Sequence, residues 1–313
     1  MVAAVTALGL AIGLGACSPE PARIDIGVDQ VDGALPSDLT DQMQTLTETA
    51  MTAVGASGAI VSVSVPWSGQ WVAGVGTSGE GGPKVDPAMT FKAVNVTRAM
   101  TCDVLYALVE KGTVALDDSI AEYVDSYPAE SDITLGELCD STSGLHGYLG
   151  AIFERVRATP ERVWNPRELI AYGLGQPREF EPGARFADSD TGYVLLGVVL
   201  ERAAAKPLNE LVDEYVFEPL GMGSSALPVG VGGGERLKGG VLLNGADRKV
   251  DCSTSQDMTD LTSSIGSAAA GAVSTVADLS TYVRALAVGA RPYDVEARFD
   301  DARPTGDGQP TWF

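Results

Sequence analysis

Asn95-Val96-Thr97-Arg98 sets two polar side chains three residues apart at the mouth of an apolar helix, a spacing that brings helical neighbours onto one face. A nucleophile and its base could cooperate there, yet neither residue fits either part. A carboxamide has no hydroxyl proton to lose, and a guanidinium stays charged. The tetrad reads as a binding pocket, a disabled reaction centre or a helix cap. Ser143 and His146, also three apart, would suit a nucleophile and a base, but the sequence places no clear carboxylate to orient the imidazole. Asp190-Thr191-Gly192 matches the aspartic-protease tripeptide, whose chemistry needs two such aspartates, and the sequence holds no second copy. In Asp188-Ser189-Asp190-Thr191-Gly192 the glycine falls fifth, one place early for a calcium loop. Cys17, Cys102, Cys139 and Cys252 follow no zinc spacing, and the chain has a single His, so no metal or other cofactor is expected.

Several elements must position these residues. "DLTDQMQTLTETAMTAVG" reads as a first helix with Asp41 near its start and Gly55 near its end. "GAIVSVSVPWSGQWVAGVGT" alternates and is Val-rich, which predicts a β-hairpin turning at Trp67-Ser68-Gly69. Residues 95–111 read as a helix stopped by Gly112, and "ITLGELCDSTSGL" as a short helix running into a loop. "DTGYVLLGVVLERAAAK" is a strongly apolar helix ended by Pro207, followed by the amphipathic "LNELVDEYVFEPLGM" with its stop at Pro219. "LPVGVGGGERLKGGVLLNG" is either a flexible loop or a strand pair. "VSTVADLSTYVRALAVG" is a last helix capped by Ser274 or Thr275. Cys102 on one helix and Cys139 on another leave a disulfide between them open.

The formal net charge of −21 excludes a nucleic-acid ligand, whose phosphates need a basic footprint, and disfavours an anionic lipid surface. The opening "MVAAVTALGLAIGLGAC" is too short to span a bilayer and ends in small residues, as export signals do. Its Leu14-Gly15-Ala16-Cys17 resembles a bacterial lipobox, in which the cysteine is lipidated and becomes the mature N-terminus. No Lys or Arg precedes the apolar run, so the natural start is expected upstream of Met1. The resulting division is a lipoprotein signal over 1–17, a polar tether over 18–40 and a folded domain over 41–313.

The order "FKAVNVTRAMT…LVEKGTVALDDSIAEYV…ITLGELCDSTSGL…PGARFADSDTGYVLLGVVLERAAAKPL…VFEPLGM…AGAVSTVADLSTYV" resembles the serine β-lactamase and penicillin-binding-protein superfamily. Within it the similarity is to the branch of class C β-lactamases, DD-peptidases and esterases. The resemblance implies an α+β protein of β-lactamase/transpeptidase-like fold, an antiparallel sheet flanked by a mostly helical subdomain. After Gly289 the sequence offers no convincing strand, so the late strands are expected to be missing and the domain C-terminally incomplete.

The resemblance also implies a Ser and a Lys where this chain has Asn95 and Arg98. It implies a Tyr at Asp188, in the Tyr-x-Asn element that ends here at Asp190, and a His at Ser141. A third motif, Lys-Thr-Gly or His-x-Gly, is absent. The expectation is that no catalytic set is intact. Arg98 and Asp188 are expected to face each other, as an ion pair or with Arg98 receiving an anion such as a peptide carboxylate. Asp190 and Ser143 would line the same pocket, and Asn95 would cap its helix. Three readings stay open: an anchored pseudoenzyme binding peptidoglycan peptide or an envelope protein, an active hydrolase using Ser143, Ser189 or another hydroxyl, or a truncated product that folds poorly.

Overall fold

The computed structural model describes residues 33–233, 235–244 and 250–289. The apolar leader with Cys17, most of the expected tether and the stretch after Gly289 lie outside the described residues. Helix α1 (Ser37–Val54) starts four residues ahead of the expected boundary at 41. Pro36 stands just before it, where a missing N–H leaves nothing unpaired and the fixed φ suits a helix entrance. Gly55 ends it in the left-handed region, its N–H turned back to the last carbonyls.

β1 (Gly58–Val65) and β2 (Gly69–Gly76) form the antiparallel hairpin that the alternation predicts, in register from Gly58↔Gly76 to Val65↔Gly69. Gly69 has φ +123° and its Cα faces the Gly33 carbonyl, where an added Cβ would stand 2.5 Å from the oxygen, so only glycine fits. α1 lies against β2, and the late helix α10 (Val276–Val288) lies against β1, where Ser280 Oγ donates to Ser62 Oγ at 2.9 Å.

Two further antiparallel pairs complete the strands among the described residues. β3 (Phe91–Lys92) pairs with β6 (Val273–Ser274). The end of the Gly-rich segment forms β4 (Gly240–Asn244), paired with β5 (Val250–Asp257). That segment is therefore partly a strand pair and not only a loop.

The helical part holds α2 (Val96–Glu110), α3 (Leu135–Cys139), α4 (Leu149–Ala158), α5 (Pro166–Leu174), α6 (Asp190–Ala204), α7 (Leu208–Val212), α8 (Glu218–Leu220) and α9 (Ser267–Ala270). The sequence reading places no helix over 149–174, yet α4 and α5 stand there. The expected single helix over 208–222 is also broken, because a π turn over Asp213–Phe217 separates α7 from α8. Lys111 Nζ donates to the Tyr215 hydroxyl of that turn at 2.7 Å. Thr275, rather than Ser274, caps α10 by accepting from Asp278 N–H.

α2 and α6 cross the centre of the core, with Met100, Val104, Leu105, Leu195, Leu196 and Leu200 fully buried. Burying each such side chain contributes about 1.5–3 kcal/mol. α9 packs on both helices, and Gly197 makes room for it: a Cβ there would stand 2.7 Å from Ala268 Cβ. Cys102 of α2 and Cys139 of α3 form a buried disulfide, with Cα atoms 5.7 Å apart.

Candidate functional site

The entrance to α2 is a tight turn. Val94 has φ +45°, a conformation that a β-branched residue adopts only under strain. The next residue, Asn95, is exposed and already has helical φ and ψ (−63°, −13°). A capping side chain needs extended backbone to fold back onto the first turn. Asn95 accordingly makes no capping hydrogen bond, which corrects the expectation that its amide satisfies a free N–H. Its carboxamide is left exposed at the entrance to α2.

One turn further in, Arg98 is held by two carboxylates from the start of α6. Its Nη1 pairs with Asp188 Oδ1, and its Nη2 lies 2.5 Å from Asp190 Oδ1. The guanidinium carbon sits 5.1 Å from the centre of the Tyr193 ring, close enough for a cation–π contribution. Burial works against the positive charge, but the hydrogen bond to Asp190 and the charges of both aspartates outweigh it, so the Arg98 pKa is raised. Arg98 Nε is buried without an acceptor. The expected facing of Arg98 and Asp188 is present in the geometry, and Asp190 joins it as a second carboxylate. Arg98 thus spends both terminal nitrogens on its own chain.

Loop contacts build the rest of the wall. Ser141 takes φ +60° and its Oγ lies 3.1 Å from the Tyr193 hydroxyl, which in turn donates to the Cys139 carbonyl at 2.8 Å. Burial raises the Tyr193 phenol above the ordinary range. Ser189 is the N-cap of α6, its Oγ accepting from Gly192 N–H, so this hydroxyl is buried and occupied. Thr191 Oγ1 donates to the His146 carbonyl at 2.6 Å and ties the 143–148 loop to α6.

Ser143 and His146 do not meet as a pair. The Ser143 hydroxyl is buried and accepts from Leu145 N–H. His146 Nδ1 instead lies 3.3 Å from Glu179 Oε1, and Arg185 flanks the same carboxylate at 3.2 Å. No carboxylate is clearly placed beside His146 by sequence proximity. The fold supplies one because Glu179 N–H bonds the Gly144 carbonyl, 35 residues earlier in the chain.

A further polar contact lies at β3, where Lys92 Nζ donates to Ser263 Oγ at 3.2 Å. Burial, aided by the charge of Arg236 and opposed by Asp260, lowers the Lys92 pKa to about 8. Between pH 8 and 10.5 the unfolded chain therefore binds the extra proton, and raising pH through that window favours the folded state. Urea unfolding of the parent and of a Lys92→Met variant at pH 7, 8.5 and 10 checks this. The difference between them is expected to move in the parent's favour as pH rises. A difference that is flat with pH overturns the assignment.

Among the described residues no group of three or more His, Cys, Asp or Glu is placed to hold a metal ion. What remains at the α2–α6 entrance is one guanidinium, two carboxylates, a phenol and an exposed amide. The set can hold charge and donate hydrogen bonds. Asn95 cannot act as a nucleophile there, nor Arg98 as a base.

A helical subdomain carrying its polar cluster where α2 meets α6, beside a set of antiparallel strands, is the architecture of the serine β-lactamases and penicillin-binding proteins. The chain belongs to the beta-lactamase family, whose profile matches residues 43–311. It is 31% identical over 142 residues to the D-aminopeptidase of Brucella anthropi, covering 45% of this chain and 27% of that protein. It is 31% identical over 148 residues to the D-alanyl-D-alanine-carboxypeptidase/endopeptidase AmpH of Escherichia coli K12, covering 45% and 37% respectively. The matched stretch thus spans about a third of these curated relatives. Among solved structures, the D-amino acid amidase of Ochrobactrum anthropi SV3 complexed with L-phenylalanine aligns with a TM-score of 0.73 at 22% identity. That alignment covers 86% of this chain and 75% of the amidase, and it shows the shared fold.

Proposed function

We propose that this protein is a lipid-anchored, envelope-facing member of the β-lactamase family that binds its ligand without acyl transfer. The observation that carries the reading is the Arg98–Asp188–Asp190 cluster, in which a guanidinium that cannot serve as base holds both carboxylates in ion pairs, beside an Asn95 amide that has no hydroxyl to attack with. Anchoring rests on Leu14-Gly15-Ala16-Cys17 in the sequence. The Cys102–Cys139 disulfide supports export, since cytosolic thiols are kept reduced. No helix among the described residues is long and apolar enough to cross a membrane, which is compatible with attachment through lipid.

The cluster's charges favour one ligand class. One guanidinium and two carboxylates leave a net charge of about −1, and the Asp188 carboxylate is more than half exposed. Arg98 has both terminal nitrogens engaged and offers little to a ligand carboxylate. An ammonium group, as at the free amino end of a peptide, suits Asp188 better. Two of the proteins named above, a D-aminopeptidase and a D-amino acid amidase, carry names of that substrate class. Peptidoglycan-derived peptides with a free amine, or the amino end of an envelope protein, are the partners this reading puts first.

A second reading, hydrolysis through a different hydroxyl, has the Lys92–Ser263 contact in its favour, because a lysine with lowered pKa can accept a hydroxyl proton. Ser263 is 2% exposed, however, so a carbonyl carbon does not reach its oxygen as the chain stands. Intact-mass measurement after incubation with benzylpenicillin and with a fluorophosphonate separates the two readings. The expected result is unmodified protein with both reagents. A stoichiometric adduct mapped to Ser263, Ser143 or Ser189 overturns the binding-only reading.

A further inference from the structure

At the other end of α6 a separate concavity of about 310 Å³ opens between the 121–127 segment, α5 and α6. Its polar walls are Glu122, Tyr127, Arg167 and Arg202, with Asp125 at the same segment. Arg202 is twelve residues beyond Asp190 on one helix, about 18 Å along its axis. The concavity is therefore distinct from the Arg98 cluster.

The two arginines stand apart from the others in the protein. Among the described residues, the side chains of Arg98, Arg155, Arg157, Arg162, Arg178, Arg185, Arg236 and Arg284 each donate to a side chain of the protein. Among the described residues, no ion pair or side-chain hydrogen bond engages Arg167 or Arg202, and both line this one concavity. In a chain with 42 acidic and 21 basic residues, acidic partners are abundant, so two unclaimed guanidinium groups facing one space call for a ligand. The neighbouring acids leave them available. Glu122 accepts from Ser119 N–H in a capping box, and neither Glu122 nor Asp125 comes within ion-pair distance of either arginine. Tyr127 brings a half-buried phenol whose pKa burial raises, with Arg167 near enough to act against that rise. It stays a neutral donor near neutral pH.

We infer that Arg167, Arg202 and Tyr127 form a second binding site, for a compact ligand bearing an oxyanion, either a carboxylate or a phosphate. Guanidinium forks match both groups with paired N–H donors, and the volume lies at the small end of the ligand-pocket range. The presence of Glu122 and Asp125 on the walls favours a ligand of low total charge over a polyanion.

Calorimetric titration of the full chain with inorganic phosphate, with N-acetyl-alanyl-alanine and with its C-terminal amide tests the site. At least one oxyanion is expected to bind in the millimolar range, and the amide is expected not to. Binding by phosphate alone assigns a phosphate site, and binding by the free acid alone assigns a carboxylate site. In the Arg167→Gln/Arg202→Gln variant the affinity is expected to fall at least ten-fold while the unfolding midpoint stays unchanged, because both side chains are exposed and unpaired. Should that variant unfold early, Arg167→Lys/Arg202→Lys keeps the charge and is expected to bind several-fold more weakly for loss of the forks. Absence of heat with both oxyanions, or affinity retained in the variants, overturns the site. None of these results depends on whether the Arg98 end forms covalent adducts.

Discussion

Replacing Arg98 by Gln is expected to lower the free energy of unfolding by about 3 kcal/mol, the lower end of what breaking a buried ion pair costs. The side chain of Arg98 is 14% exposed and that of Asp190 is 21% exposed, so removing the guanidinium leaves a nearly buried carboxylate uncompensated. The Asp188 side chain is 58% exposed, and water can solvate it once the partner has gone. Asp188→Asn is therefore expected to cost under ~1 kcal/mol, as exposed pairs do. Asp190→Asn belongs between the two, because Asp190 also sits in the first turn of α6, where a negative charge favours the helix dipole. Arg98→Lys is expected to recover only part of the loss, since one ammonium cannot serve two carboxylates as a fork does. Urea midpoints of the four variants give the order directly. An Asp188→Asn loss as large as that of Arg98→Gln would overturn the ranking, and no loss on removing Arg98 would show that the cluster is not a structural clamp.

That ranking is not legible in the sequence alone. The order of motifs places Arg98 opposite Asp188, but the share taken by Asp190 depends on how deeply the start of α6 is buried against α2. The hairpin, α1, α2, α6 and α10 are legible because their patterns are long and the breakers of the four helices, Gly55, Gly112, Pro207 and Gly289, stand at or within a few residues of where each stops. α4 is harder to see: no side chain caps it, and its apolar face amounts to Ile152 and Val156. α5 did carry a signal, Asn165 followed by Pro166, in which the Asn side chain accepts from Arg167 N–H. The π turn at 213–217 is invisible in an amphipathic pattern that reads equally well as one helix. Asn95 shows how a residue type misleads. Asparagine is a favoured cap, but the strained Val94 delivers it already in helical conformation, a backbone property that no spacing reveals. Glu179 reaches His146 through one long-range backbone bond, and contacts of that kind are set by the fold.

The Cys102–Cys139 disulfide bears on the same entrance from below. Cys102 lies four residues after Arg98, one turn along α2, and Cys139 offers the carbonyl that accepts the Tyr193 hydroxyl under the guanidinium. Closing a chain segment with a sequence separation of 37 restricts the unfolded ensemble by about 4 kcal/mol in the chain-entropy account. A Cys102→Ala/Cys139→Ala variant is expected to lose about that much stability, and both sites are buried enough that the lost sulfur contacts add to it rather than offset it. The measurement is urea unfolding of the variant against the oxidised parent, and equal midpoints would rule the bridge out as a stabilising element. The position of the bridge makes a sharper demand. If it holds Ser141 and Tyr193 in place around Arg98, its removal also weakens the clamp, so the Arg98→Gln loss should be smaller in the cysteine-free background than in the parent. Residues in one contact network typically couple by about 0.5–3 kcal/mol. Strict additivity would place the disulfide and the clamp in separate parts of the core, whereas coupling makes the oxidised state of the chain a condition for the geometry of the Arg98 cluster.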